Sequence, residues 1–316
     1  MQLTRLLNLG GYRFGIAALA IALLTPALLL RAKDAPAPSG TLPRVRQTGT
    51  LRLGYYTDAR PFSYQDEAGN PAGYAVALCQ EIAKDVKTDL GLPTLALQFV
   101  GVTTADRFDA VKQGKVDLLC GPSVETLARR KEISYSIPIF PAGIGAILRA
   151  DAPAQIRDAL VGHEPPYRPL WRASIGLALQ KRTFSAVTGT TVLTWLTAKL
   201  DQFKIDARIA PVESHDAGVQ AVLNRTSDVF FGERSILLDA KKHSPSGGDL
   251  IVLDRLFTYE PLALALARGD DDFRLVVDQA LSRLSRSGEI QNLYRNFFGE
   301  PSDDTLMFFR LNTLPE

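Results

Sequence analysis

Asp106-Arg107-Phe108-Asp109-Ala110-Val111-Lys112-Gln113-Gly114-Lys115-Val116-Asp117-Leu118-Leu119-Cys120-Gly121 is the stretch on which the fold turns. Residues 106–113 read as a short helix, and Gly114 stops it, as a glycine just past a last turn commonly does. Residues 116–120 are a mostly apolar run of strand length, the pattern of a strand buried in a parallel sheet. The same alternation lies upstream. Residues 50–55 alternate apolar and polar as a strand. Residues 60–70 read as a turn region. Residues 73–86 read as a helix with Leu78, Cys79, Ile82 and Val86 on one stripe, and residues 95–100 as a strand. Strands alternating with helices argue for an α/β layer.

Downstream, the order returns 111 residues later. Ala110-Val111, Asp117 and Gly121 are matched by Ala221-Val222, Asp228 and Gly232. Both segments read helix, short polar turn, apolar strand, glycine. Two similar lobes in one chain would produce this echo, although so short a match also arises by chance. Toward the C-terminus, Phe273, Val276, Val277, Ala280, Leu281 and Leu284 form the apolar stripe of a helix that Gly288 ends. Ile290, Leu293, Tyr294 and Phe297 begin a second stripe, closed by Gly299 and Pro301. These are packing residues.

At the other end, Arg5 and Arg13 precede the apolar run 14–30, followed by Arg31, Lys33 and a loose Pro- and Ala-rich stretch. A basic start, an apolar run and a small, polar exit make residues 1–33 an export signal, with a retained N-terminal anchor or a buried core helix as the alternatives. The run is at the short end for a membrane span. Residues 34–48 read as a linker.

The 316 residues leave room for about two domains. Apolar residues make up 46% and charged residues 22%, which excludes a disordered chain, a collagen and a multi-span membrane protein. Without Arg5, Arg13 and Arg31 the body carries 33 basic against 34 acidic residues. No basic domain points to nucleic acid. Two cysteines exclude a disulfide scaffold or a Cys-rich zinc site. His163, His215 and His243 have no metal-ligand spacing and read as surface residues. No CxxC, HExxH, GxSxG or phosphate loop occurs, and Gly143-Ile144-Gly145 lacks the third glycine of a dinucleotide loop. No cofactor or metal is expected, and the chain does not read as a hydrolase, kinase or dehydrogenase.

The order of four blocks resembles the family 3 extracellular solute-binding proteins, the amino-acid receptors of ABC importers. The first is Thr50-Leu51-Arg52-Leu53-Gly54, with Pro61-Phe62-Ser63-Tyr64 and Gly73-Tyr74. The second is Gly114–Gly121 with Thr126, Arg129 and Ile133-Ser134-Tyr135-Ser136-Ile137-Pro138. The third is Gly189-Thr190-Thr191, and the fourth runs from Ser287-Gly288 to Phe298-Gly299. The resemblance implies a type II periplasmic-binding-protein-like α/β fold: two α/β lobes joined by two hinge strands, closing over a ligand between them. Lobe 1 would take residues 49–144 and 256–316, and lobe 2 residues 145–255. The crossings would fall near residues 142–149 and 253–265. The implied partners are a small-molecule amino acid and the permease of an ABC transporter, the location periplasmic, and the state monomeric.

The resemblance also implies a site. Arg129 would clamp the α-carboxylate with two parallel hydrogen bonds. Thr191 would bring the N–H groups of a helix N-terminus to the same carboxylate. Glu233 would hold the ammonium, the alternative being a partner for Arg234. Asp117 and Asp228 look structural. The chain departs from the family where Val124 replaces a hydroxyl residue and can offer only its backbone, and where Thr104 replaces an aromatic. Tyr56 would read the ligand side chain. Thr104 and the Cys120-Gly121 turn lean toward the glutamate/aspartate receptors. Arg60 and Arg234 are the candidates for a side-chain carboxylate.

Cys79 and Cys120 both fall in lobe 1, as a disulfide or as two buried thiols. Residues 151–184 are longer than the family's usual connection, and Tyr167 and Trp171 within them belong either to a local core or to a partner patch. Two other functions remain open: a sensor retained by the N-terminal helix, and a cyclohexadienyl-dehydratase-like enzyme with Glu233 as its cleft acid.

Overall fold

A computed structural model of the chain describes residues 40–162 and 177–315. The N-terminal signal or anchor, Tyr167, Trp171 and His163 lie outside these residues. Among the described residues no helix is long and apolar enough to cross a membrane.

The strands are β1 Thr50–Tyr56, β2 Asp58–Ala59, β3 Ser63–Gln65, β4 Pro71–Ala72, β5 Ala96–Val102, β6 Leu118–Val124 and β7 Ile133–Tyr135. They continue as β8 Ile144–Arg149, β9 Thr183–Ala186, β10 Arg208–Ile209, β11 Val229–Glu233, β12 Leu250–Val252 and β13 Leu262–Ala267. The helices are α1 Thr41–Thr48, α2 Tyr74–Asp89, α3 Arg107–Lys112, α4 Leu127–Arg130, α5 Ala154–Val161, α6 Thr191–Gln202 and α7 His215–Leu223. Those after α7 are α8 Arg234–His243, α9 Asp271–Ser287, α10 Glu289–Phe298 and α11 Asp303–Asn312.

Two five-stranded sheets repeat one plan. The first runs β5-β1-β6-β13-β7 and the second β10-β9-β11-β8-β12. In each, three neighbouring strands are parallel, and the strand that arrives from the other lobe, β13 or β8, is antiparallel. The short strands β2, β3 and β4 make a small sheet where residues 60–70 read as turns.

The 111-residue echo has a structural cause. Asp117 donates its N–H to the Arg52 carbonyl at 2.9 Å, and its carboxylate accepts the Arg52 N–H at 2.8 Å. Asp228 does the same with Thr183, at 2.7 and 2.8 Å. The carbonyls of Ala110 and Ala221 each close the polar turn before the strand. Each aspartate therefore locks the start of its strand to a parallel neighbour, so it is structural in both lobes.

Residues 41–48 are not linker. They form α1, with Val45 fully buried. The Thr41 N–H donates to Asp270 Oδ2 at 2.8 Å, and Arg44 pairs with Asp117. Pro43 sits in the first turn, where a missing N–H removes no intrahelical bond.

The stripe Leu78, Cys79, Ile82 and Val86 of α2 is buried on the first sheet, and Cys79 is bonded to Cys120 of β6 with a Cα–Cα distance of 6.1 Å. The disulfide alternative is the one realised. The family-implied expectation that the C-terminal helices pack on lobe 1 agrees with the buried faces of α9, α10 and α11, which join that lobe's core.

Two connections cross between the sheets, one from β7 to β8 and one from β12 to β13. They run against each other and are tied by bonds from Phe257 N to Ile144 O at 2.8 Å and from Glu260 N to Ala142 O at 2.7 Å. Gly143 permits this approach, because a Cβ there would lie 2.1 Å from the Thr258 carbonyl oxygen. Two such connecting segments, lying outside the strands, are the kind of place where a hinge absorbs backbone rotation. Ile236 of α8, from the second lobe, packs into the core cluster of the first, so the two lobes are in contact across the cleft.

Candidate functional site

At the carboxyl ends of the parallel strands, between the two lobes, lies a small cavity of about 70 Å³. Tyr56, Thr104, Val124, Arg129, Thr191 and Glu233 all line it. Sequence reasoning singled out these six. The seventh, Gly121, is not part of the wall. It lies beneath Tyr56, where a Cβ would come within 2.2 Å of the ring. Its job is to seat that ring, whose hydroxyl lies 3.3 Å from Ser123 Oγ.

The Arg129 side chain is aimed by its own turn. Thr126 caps the short helix α4 by accepting the Arg129 N–H at 3.2 Å. The guanidinium then reaches back to donate to the Val124 carbonyl at 2.7 Å and lies 4.9 Å from the Phe108 ring. Burial, and after it the neighbouring Arg107 guanidinium, hold Arg129 below the ordinary arginine range. It stays charged all the same. Two cations beside one another in a desolvated pocket favour an anion between them.

Arg107 is the residue that sequence reasoning missed. It is only 5% exposed, lines the cavity, and crosses the cleft to donate from Nη2 to the Gly189 carbonyl at 3.1 Å. Its guanidinium also lies 4.4 Å from the Phe108 ring and 6.0 Å from the Tyr56 ring. The signal was a spacing. Arg107 follows Thr104 by three residues, on the turn that opens α3. The two arginines nominated instead are used elsewhere. Arg60 pairs with Asp239 at 3.4 Å, and Arg234 donates to the Leu253 carbonyl at 3.2 Å and to Asp254 at 2.9 Å. Neither lines this cavity.

From the second lobe comes the N-terminus of α6. Thr190 is its cap and accepts the Leu193 N–H at 3.4 Å. Thr191, the first residue of the helix, donates its hydroxyl to Glu260 at 3.1 Å. Thr190, Thr191 and Val192, the cap and first residues of this helix, line the cavity.

Glu233 ends β11 and caps α8, accepting the Ile236 N–H at 2.9 Å. The partner of Arg234 is Asp254, so the ion-pair alternative for Glu233 falls. Burial pushes its carboxyl up to about 7, against the pull of the Ile236 N–H. A buried carboxyl of this kind is poised to ionise when a cation arrives.

His215 is not a surface residue. It opens α7, lines the same cavity, and its Nδ1 is buried without a hydrogen-bond partner. Burial holds the imidazole below its ordinary value, with Asp58 and then Asp216 pulling the other way.

Comparison with known proteins gives a family and a fold. A family model described as bacterial extracellular solute-binding proteins, family 3, matches residues 51–300. An L-glutamate/L-aspartate-binding protein of Pseudomonas aeruginosa is 26% identical over 288 residues, covering 90% of this chain and 89% of its own. A glutamate/aspartate import solute-binding protein of Escherichia coli is 22% identical over 282 residues, covering 89% and 87%. Among solved structures, an ancestral amino acid-binding protein described as a precursor of cyclohexadienyl dehydratase superposes with a TM-score of 0.66 at 23% identity. It covers 82% of this chain and all of its own. A cysteine-binding protein of Campylobacter jejuni superposes with the same TM-score at 21% identity, covering 84% and 96%. These last two bear on the fold.

Proposed function

The chain belongs to the bacterial extracellular solute-binding proteins of family 3, and from that membership we propose that it binds an acidic amino acid between its lobes and delivers it to an ABC importer. One observation carries the choice of ligand: two arginines, the buried Arg107 and the half-buried Arg129, share a cavity with one acid, Glu233. Together they present one net positive charge, and glutamate or aspartate carries one net negative charge. Arg129 and the N-terminus of α6 take the α-carboxylate, Glu233 takes the ammonium, and Arg107 takes the side-chain carboxylate. The names of the relatives from Pseudomonas aeruginosa and Escherichia coli support the same class.

In this reading the cycle has no covalent step. Ligand carboxylate and ammonium bridge groups from both lobes, and the energy of bridging closes the hinge. The Arg107 bond to the Gly189 carbonyl joins the lobes beside the ligand, which makes Arg107 a closure contact as well as a ligand. The basic and apolar N-terminus exports the protein to the periplasm, where it works as a monomer and docks to a permease in the inner membrane.

The test is a thermal-shift screen of the purified chain against the twenty amino acids, followed by calorimetry. Glutamate and aspartate are expected to raise the melting point most. Arg129→Ala should weaken every ligand by roughly 2–5 kcal/mol, on the order of 30- to several-thousand-fold. Arg107→Gln should weaken glutamate far more than glutamine. A preference for neutral or basic amino acids, or equal losses in Arg107→Gln, would overturn the acidic-ligand reading.

A further inference from the structure

Behind the two ligand arginines stands one aromatic ring. Phe108 follows Arg107 on α3 and is half-buried against the core of lobe 1. The Arg107 guanidinium carbon lies 4.4 Å from its ring centroid, and the Arg129 guanidinium carbon lies 4.9 Å from the same centroid. Both fall inside the distance of about 6 Å at which the face of a ring attracts a cation. The two arginines come from separate helices, α3 and α4, so this ring is where they meet. Phe108 itself does not line the cavity.

Two guanidinium groups on one ring repel each other, and a low-dielectric setting strengthens the repulsion. Their backbone tethers are unequal. Arg129 donates to the Val124 carbonyl of its own lobe, whereas Arg107 donates to the Gly189 carbonyl of the other lobe. An opening cleft breaks the second tether. Arg107 then keeps the Phe108 ring and the more distant Tyr56 ring, 6.0 Å away. We propose that Phe108 is a positioning residue, whose π face holds Arg107 and Arg129 side by side in the open, ligand-free protein, so that a ligand with two carboxylates meets both cations already in place. This rests on the acidic-ligand reading above and gives that site the source of its preference for a second carboxylate. Without the ring the arginines would splay, and affinity would fall with the fraction of protein that still holds both in place. A leucine at this position would fill much of the same space against the core but offer no π face.

Fluorine on the ring separates this role from packing, because it drains the π face with little change of shape. The probes are L-glutamate and L-glutamine, measured by calorimetry on the chain carrying 4-fluoro-, 3,5-difluoro- or 3,4,5-trifluorophenylalanine at position 108. L-glutamate is expected to weaken stepwise with each fluorine, by roughly tenfold at three. L-glutamine, which calls on Arg129 alone, should weaken less. Phe108→Leu should lose about as much as the trifluoro ring, and Phe108→Tyr, which keeps the face, should bind much as the wild type does. In an Arg107→Gln background the fluorine series should cost the two ligands equally. If Phe108→Leu weakens L-glutamate while the fluorine series is flat, the ring only packs and the proposal is wrong, with the acidic-ligand reading intact. If fluorine costs both ligands equally in the wild-type background, the ring serves Arg129 alone and the shared hold is wrong. If the wild type prefers L-glutamine to L-glutamate, the acidic-ligand reading fails, and the role given to Arg107 on the ring fails with it.

Discussion

The two lobes are built alike and used differently. Both place an aspartate at the start of the strand β6 or β11, lock it to a parallel neighbour through paired hydrogen bonds, and end near a glycine. Beyond that glycine they diverge. Lobe 1 continues through Pro122-Ser123-Val124 into a one-turn helix that delivers Arg129. Lobe 2 turns at once into α8, with Glu233 as the cap. The first solution presents a cation and the second an acid, which is what a zwitterion needs from opposite sides. The repeated plan is scaffold, and the ends of the repeat carry the chemistry.

The lobes also differ in how firmly their scaffold is held, and that difference can be broken by mutation. Lobe 1 has the Cys79–Cys120 bond, closing a loop of sequence separation 41. In the chain-entropy account such a loop contributes about 4 kcal/mol. The double variant Cys79→Ala/Cys120→Ala should lose stability of that order in urea unfolding. A loss below about 1 kcal/mol would mean the covalent link matters little to lobe 1. Next come the two aspartates. Asp117 has a side chain 3% exposed and pairs with both Arg44 and Arg52, while Asp228 is 34% exposed with Arg182 at 3.7 Å. Asp117→Ala strands two guanidinium groups and should cost about 3 kcal/mol. Asp228→Ala loses mainly one bond to a backbone N–H and should cost about 1 kcal/mol. Equal losses would show that the arginines add nothing to the clasp.

The scaffold was legible because it rests on local patterns. The stripe on α2, the glycine stops and the Asp117/Asp228 echo are all written within short windows. The helix α1 has no side-chain cap and no acidic residue in its first turn, so its start carries little local signal. The helix α11, with its start signal of Ser302, Asp303 and Asp304, lies past the last apolar stripe read from the sequence, inside the 256–316 segment of lobe 1. At the site, Arg129, Thr191 and Glu233 were found through the resemblance, which places them in order along the chain. Arg107 was not, because its role depends on the Gly189 carbonyl, 82 residues away on the other lobe. His215 was missed for the same reason: a polar neighbourhood in sequence became a buried one when Asp58 and α7 met across the cleft. Contacts made across the cleft leave no local trace.

A test by pH reaches the chemical difference between the lobes most directly. Arg129 keeps its charge at any working pH, whereas Glu233 titrates near neutrality because burial lifts it to about 7. In the unliganded protein Glu233 holds its proton up to about pH 7, while in the unfolded chain it releases it near its ordinary value. The group therefore stabilises the unliganded fold most at low pH, and that contribution is lost as pH rises to about 7. A bound ammonium demands the ionised form, which is about a tenth of the population at pH 6 and nine tenths at pH 8. Affinity for an amino acid should then rise about tenfold across that range. The proton released on binding should appear as a buffer-dependent heat near pH 7. Glu233→Gln should bind more weakly and with little pH dependence, since the amide still caps α8 in part but cannot ionise. If the slope survives in Glu233→Gln, the titrating group is another, with His215 in the same cavity the first to replace next, and the ammonium is not held by the lobe 2 cap.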